Sequence, residues 1–389
     1  MDKSKLTDPL YGIGLFKDVL TDGAARAMRT LVYGDPDPRT RAEAAAELFC
    51  SLANGGGGAV RSVWDCLFGR LALSENPFSA ALARGKEPAV ALTGRAKYEY
   101  GAVTELAELL NYSALAEYGI ERGEKKDFSA LVNAYKTNGC GVFAKSKAFG
   151  WDGASKRLVP LYNLNPIRLD GLKDYADEKA AVKNNTESFL NGLPACNVLL
   201  YGDRGTGKSS TVHALLNEYG DKNLRLIELK KSDAADLTAV INLISGLLFK
   251  FIVFFDDLTF AESDESYGAV KAALEGSVVK CPNMLVYASS NRRHLIAETR
   301  ASRENGVHLS DSFEEQLSLF DRFGLVVTYL NPDKNGFLSV LKQILSDRKI
   351  SVPDAELALS AERYALQKGG RSPRAAKQLA DIIESSLKP

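Results

Sequence analysis

Eight consecutive residues, Gly202-Asp203-Arg204-Gly205-Thr206-Gly207-Lys208-Ser209, carry the spacing G-x-x-x-x-G-K-S. Glycines so placed let backbone N–H groups curl round a phosphate without Cβ clashes, and the helix that should follow adds positive potential at its N-terminus. The lysine supplies a point charge to β- and γ-phosphates, and the serine hydroxyl a ligand for Mg²⁺. Residues 202–209, with Ser210 behind them, are therefore the expected phosphate site. A second constellation is the apolar run Phe251-Ile252-Val253-Phe254-Phe255, which ends in Asp256-Asp257. A strand of that composition is buried on both faces, so its acids emerge at the C-terminal edge, where open α/β sheets bind ligands. There Asp256 suits a metal ion and Asp257 a general base that polarises water. Glu262, Asp264 and Glu265 follow closely enough to substitute. A third run, Met284-Leu285-Val286-Tyr287-Ala288-Ser289-Ser290-Asn291, ends in an amide that could orient water, although Ser-Asn is also ordinary turn chemistry. Arg322, in Asp321-Arg322-Phe323-Gly324, and Arg374, in Arg371-Ser372-Pro373-Arg374, offer the planar, permanently charged fork that suits developing phosphoryl charge. A surface ion pair is the alternative for each, and a solvated basic turn for Arg292 and Arg293.

The elements that would position these residues alternate between helix and strand from residue 170 onward, the pattern of a parallel α/β sheet. Strands are predicted at Asn197–Tyr201, Leu224–Leu229, Phe251–Phe255, Met284–Ala288 and Leu325–Tyr329. Helices are predicted at Asp174–Leu190, Ser209–Tyr219, Leu237–Leu248 and Tyr267–Gly276. Each motif thus falls at the end of a strand. The last ~57 residues read as all helical and form a small separate unit. The first ~150 also read as mostly helical, with Asp37-Pro38 opening an Ala-rich helix that Asn54 and Gly55–Gly58 end. A second helical tract runs from about Ala102 to Gly119. Short apolar pieces with Gly and Pro over 139–166 suggest a boundary. The expected domains are 1–160, mostly helical; 161–330, the α/β core; and 331–389, a helical lid.

With 389 residues, 45% hydrophobic and 25% charged, the chain has apolar surface enough for packed cores and is not a disordered polymer. Forty-nine basic and 49 acidic side chains cancel, and residues 1–150 alone carry 19 and 18. That balance does not point to nucleic acid, although a local contact through Lys230 and Lys231 stays open. No apolar run reaches the ~18–20 residues of a membrane helix, and Met1-Asp2-Lys3-Ser4-Lys5 opens no secretory signal. Five scattered cysteines without a CxxC pair fit reduced thiols, so a cytoplasmic protein is expected. Three histidines make a zinc site a poor fit.

The ordered set of phosphate loop, apolar-Asp-Asp, Ser-Asn, Asp-Arg-Phe-Gly and Arg-Ser-Pro-Arg resembles the AAA+ ATPases. More narrowly it is similar to the bacterial AAA+ family known as domain of unknown function 815. The resemblance rests on NVLLYGDRGTGKSS (197–210), FFDDL (254–258), YASSNRRHL (287–295) and LSLFDRFGL (317–325), and extends from about Ile167 to Leu379. It implies a P-loop αβα core with a parallel sheet and a helical C-terminal lid. It makes residues 202–209 Walker A, Asp256 the Walker B acid, Asn291 sensor 1, Arg322 an arginine finger acting on a neighbour's nucleotide, and Arg374 the sensor 2 arginine, with Arg371 in reserve. Asp170-Gly171-Leu172 falls where the family places adenine-facing residues. A finger supplied in trans implies a homo-oligomeric ring or filament, in AAA+ proteins often a hexamer, and an unknown protein partner. Two departures qualify this. Walker B usually ends Asp-Glu; Asp256-Asp257 sets the second acid one methylene back, so slow hydrolysis is expected. Residues 230–236, Lys-Lys-Ser-Asp-Ala-Ala-Asp, lack the aromatic of peptide-translocating rings, which argues against a processive unfoldase. The expected function is Mg·ATP hydrolysis that moves the N-terminal domain or a partner. The alternatives are a nucleotide-gated binding module with little turnover, a DNA-remodelling or loader ATPase, and, least of all, a small-molecule kinase.

Overall fold

The structure, a computed structural model, describes residues 12–35, 37–53, 60–261, 268, 270, 271, 274, 281–291, 296–297 and 322–387. Gly55–Gly58, Glu262, Asp264, Glu265, Arg292, Arg293, Asp321, most of the helix expected at Tyr267–Gly276 and nearly all of the insertion 297–312 lie outside those residues. The chain divides into two compact units, 1–146 and 147–389.

The first unit is helical: α1 (Lys17–Leu20), α2 (Gly23–Tyr33), α3 (Pro38–Ala53), α4 (Val63–Leu73), α5 (Pro77–Ala83), α6 (Val90–Leu109), α7 (Tyr112–Leu115) and α8 (Phe128–Asn138). Its starts are written in capping residues: Asp22, Ser62 and Asp127 accept backbone N–H groups of α2, α4 and α8, and Asn76 and Ser79 close a capping box on α5 behind Pro77. Phe16, Met28, Leu48, Trp64, Leu67, Phe78 and Val103 are buried in this unit. Its most unusual polar group is Glu99, fully buried on α6, whose carboxylate accepts from the N–H groups of Gly14, Leu15 and Phe16 and from Arg95. A buried charge is tolerated when its lone pairs are filled in this way. The single tract expected from Ala102 to Gly119 is instead the end of α6, the short α7 and a 3-10 turn.

The second unit is built on a seven-stranded sheet. Its strands are β1 (Ala148–Asp152), β2 (Arg157–Leu161), β3 (Val198–Gly202), β4 (Leu224–Glu228), β5 (Lys250–Phe255), β7 (Met284–Ser290) and β9 (Leu325–Tyr329). The two-residue β6 (Phe260–Ala261) and β8 (Ile296–Ala297) pair separately. The spatial order is β2-β1-β4-β5-β7-β3-β9, parallel throughout except for the β1–β2 hairpin at one edge. The strand ending at the phosphate loop lies between the strand ending at Asn291 and β9, and the strand ending in Asp256-Asp257 comes next, so all three motifs share one sheet edge. Helices α9 (Ala176–Leu190), α10 (Lys208–Tyr219) and α11 (Leu237–Ile244) complete the α/β core. α11 ends four residues short of the expected Leu248: Ser245 leaves the helix with ψ 131°, and Gly246 follows in the left-handed region (φ 73°). Val198, Leu200, Val212, Leu215, Leu226, Ile252, Phe254 and Tyr287 pack one face of the sheet. Helices α12 (Lys334–Asp347), α13 (Asp354–Lys368) and α14 (Pro373–Leu387) then close on a core of their own around Phe337, Leu341, Leu345, Leu357 and Leu379. This is the fold class the resemblance implies: an αβα P-loop core with a parallel sheet and helices at the C-terminus; the N-terminal unit is helical. Among the described residues, no helix is long and apolar enough to cross a membrane.

Candidate nucleotide site

The turn from β3 into α10 is held open by its own backbone. Gly202 has φ 135°, and a Cβ there would sit 1.9 Å from the carbonyl oxygen of Tyr329 on β9, so only glycine fits. Gly205 has φ 79°, and its Cβ would meet Ser372 Oγ at 3.0 Å and Arg374 Cβ at 3.1 Å, where the lid approaches the loop. The Asp203 N–H donates to Tyr329 O (2.8 Å), and Thr206 Oγ1 donates to Asp203 O (2.8 Å), which ties the loop to β9 and to itself.

Lys208 opens α10 and is buried, 6% exposed. Its ammonium donates to Gly202 O (2.9 Å), Asp203 O (2.6 Å) and Asn291 Oδ1 (3.0 Å), three acceptors for three protons. Burial pushes it below the usual lysine range, against the opposing charges of Asp203, Asp257 and Asp256. The Asn291 amide in turn donates to Asp257 Oδ1 (2.7 Å). Beside that relay, Ser209 Oγ donates to Asp256 Oδ1 (2.6 Å). Asp256 Oδ1 also accepts from Ser289 Oγ (2.5 Å) and from the Asp257 N–H (3.1 Å), while the same N–H donates to Ser289 Oγ (2.9 Å). Asp257 takes a left-handed backbone (φ 54°), which turns the chain sharply off the strand between the two acids.

Residues from Gly205 to Ser209, Arg204, Ser210, Asp256, Asp257, Asn291 and Arg374 all line a cavity of about 910 Å³. Gly202 and Asp203 are not among its lining residues; their carbonyls hold the Lys208 ammonium that is. The cavity suits a phosphorylated, partly apolar ligand: its lining also includes Ile167, Leu172, Val340 and Ile344, and Leu172 reaches to within 4.0 Å of where a Gly207 Cβ would sit. Of the two arginines left open in the Arg371-Ser372-Pro373-Arg374 motif, Arg374 faces the cavity, and its N–H donates to Gly205 O (3.1 Å). Arg371 forms a two-pronged pair with Glu362 inside the lid (3.2 and 3.0 Å). Arg322 is exposed in the turn before β9, ahead of the buried Phe323. Lys231 donates to Thr259 O (2.8 Å).

Sequence reasoning missed four participants. Ser289 lies on β7, two residues before Asn291 and one strand period back, and that spacing would have flagged it. Tyr329 supplies the carbonyl against which Gly202 packs, a backbone role without a side-chain signature. Tyr175 and Lys179 line the same cavity from the start of α9, and Tyr175 Oη donates to Leu330 O (2.6 Å).

Residues 144–387 match the family described as Protein of unknown function (DUF815). The chain belongs to that family. Among curated proteins, the Replication factor C large subunit of Nanoarchaeum equitans is 23% identical over 240 residues, 60% of this chain and 49% of that protein. The Replication factor C large subunit of Sulfolobus acidocaldarius is 34% identical over 119 residues, 28% and 26% of the two chains. The DUF815 chain thus spans about half or less of the curated relatives it matches. Among solved structures, the Thermotoga maritima RuvB Holliday junction branch migration motor superposes with a TM-score of 0.40 at 18% identity, over 58% of this chain and 66% of that one. The FIGL-1 AAA domain in complex with ADP gives 0.35 at 15% identity, over 50% and 66%.

Proposed function

We propose that this DUF815 protein binds Mg·ATP in the 910 Å³ cavity and hydrolyses it at an interface between copies of the chain, moving residues 1–146 or a partner. The observation that supports the reading is the hydrogen-bonded relay from Lys208 through Asn291 to Asp257, with Ser209 and Asp256 joined beside it. A phosphate arriving over the loop would meet the N–H groups of residues 205–209 and draw the Lys208 ammonium away from Asn291 Oδ1. Asn291 keeps Asp257 in place, and Asp257 polarises the attacking water. Ser209 and Asp256 are hard oxygen donors within 2.6 Å of each other and fit Mg²⁺, which when bound neutralises charge on the β- and γ-phosphates. Arg374 closes the lid side, and Arg322 acts on the nucleotide of a neighbouring copy. The base lies against the apolar wall of Ile167 and Leu172. Five free cysteines support a reducing, cytoplasmic setting.

Asp257 favours a second reading, a nucleotide-gated binding module with little turnover. It is one methylene shorter than glutamate, and its carboxylate is already engaged by Asn291. A loader acting on DNA gains no support from Lys231, which is spent on Thr259 O.

The deciding experiment measures Mg·ATP binding and phosphate release in three proteins. The wild type should do both, Lys208→Ala neither, and Asp257→Asn should bind while losing about 10²-fold or more of its turnover. Full activity in Lys208→Ala would overturn the site. Binding without turnover in the wild type would select the gated module.

A further inference from the structure

The segment that contributes Ile167 and Leu172 to the cavity wall, residues 165–172, is not part of any helix or strand, yet side chains from two helices hold it. Asn217 on α10 donates both amide protons to it, to Asn165 O (2.7 Å) and Ile167 O (2.6 Å). The next residue, Glu218, accepts from the Leu169 N–H (3.1 Å). On α9, Lys179 donates to Leu172 O and Leu169 O. The segment folds on itself as well, with the Gly171 N–H on Arg168 O (3.1 Å) and the Leu172 N–H on Leu169 O (3.3 Å). Leu169 is buried, while Asn165, Ile167, Gly171 and Leu172 line the cavity.

α10 therefore joins the phosphate loop, where it lines the cavity, to the segment that forms the cavity's apolar wall. Its first residue is Lys208, at the phosphate loop, and Asn217 stands nine residues on. At 1.5 Å per residue the helix is a rigid spacer of about 14 Å between them.

We infer that Asn217 and Glu218 are positioning residues that fix the base-side wall of the cavity at a set distance from the phosphate loop, so that the pocket measures the length of a nucleotide and not only its phosphates. This rests on the nucleotide reading above. Neither side chain touches the ligand in this account; both act through the backbone of 165–172. Both are half-buried, so their replacement does not hollow the core.

The test separates the two ends of the ligand. Dissociation constants for ATP and for inorganic tripolyphosphate, each with Mg²⁺, are measured on the full-length wild type, Asn217→Asp and Glu218→Leu. Asn217→Asp keeps the shape and loses the donors to both carbonyls. ATP binding should weaken about tenfold in Asn217→Asp and less in Glu218→Leu, with tripolyphosphate binding unchanged in each. The inference is overturned if ATP and tripolyphosphate weaken by the same factor, or if ATP affinity is unchanged in both variants. Should Asn217→Asp fail to fold, Glu218→Leu decides alone. A wild type that binds neither ligand would overturn the nucleotide reading itself, a result distinct from either of those.

Discussion

Residue type and spacing single out Lys208, Asp256, Asp257 and Asn291, a lysine behind glycines, acids after an apolar strand and an amide at the end of the next one, and the structure brings their side chains together. Ser289 shows what such a reading omits. Its hydroxyl joins Asp256 Oδ1 to the Asp257 N–H, a structural task that many polar residues could fill, so its type carried no signal. It is 2% exposed. Ser289→Ala should remove one donor to Asp256 and leave the Asp257 N–H only its longer bond to Asp256 Oδ1, cost about 1 kcal/mol of stability in denaturant titration and lower turnover more than ATP affinity. Gly202→Ala should be harsher. A methyl group 1.9 Å from Tyr329 O at φ 135° cannot be accommodated without moving β9 or the loop, so the thermal midpoint should fall with a loss of at least about 3 kcal/mol. A midpoint unchanged in Gly202→Ala would contradict the packing described for the loop.

Among the elements, long periodic helices and wholly apolar strands were legible, and short mixed ones were not. β5 announces itself in five consecutive buried residues. The β1–β2 hairpin does not: Ala148–Asp152 and Arg157–Leu161 contain Gly150 and Pro160, and in sequence they read as a boundary. What makes them strands is tertiary, since β1 pairs with β4 and buries Phe149 and Trp151. The join between core and lid was likewise invisible. Asp203, expected only to face phosphate, accepts through Oδ2 the N–H of Asn331, where the chain leaves β9 for α12 (2.8 Å). The phosphate loop thus grips the lid at two points, there and at the Arg374 N–H. Asp203→Ala should release the first, and amide hydrogen exchange at Asn331 should quicken about five- to tenfold while the sheet amides hold. Exchange at Asn331 equal to the wild type would show that the carboxylate holds nothing there.

At the scale of the whole molecule, the proposed function needs more than one copy. Arg322 is exposed ahead of β9, and its assigned work is on a neighbour's nucleotide. Lys208→Ala and Arg322→Ala should each be inactive alone, one for want of bound nucleotide, the other for want of a finger. Mixed, they should regain part of the wild-type rate, because an intact Arg322 then meets an intact phosphate loop in some interfaces. A mixture no more active than its components would place Arg322 outside the reaction. The most direct measurement is steady-state phosphate release from Mg·ATP over a wide range of wild-type concentrations. Specific activity should rise with concentration and level off as the chains assemble. Specific activity that is the same at every dilution would contradict hydrolysis at a shared interface.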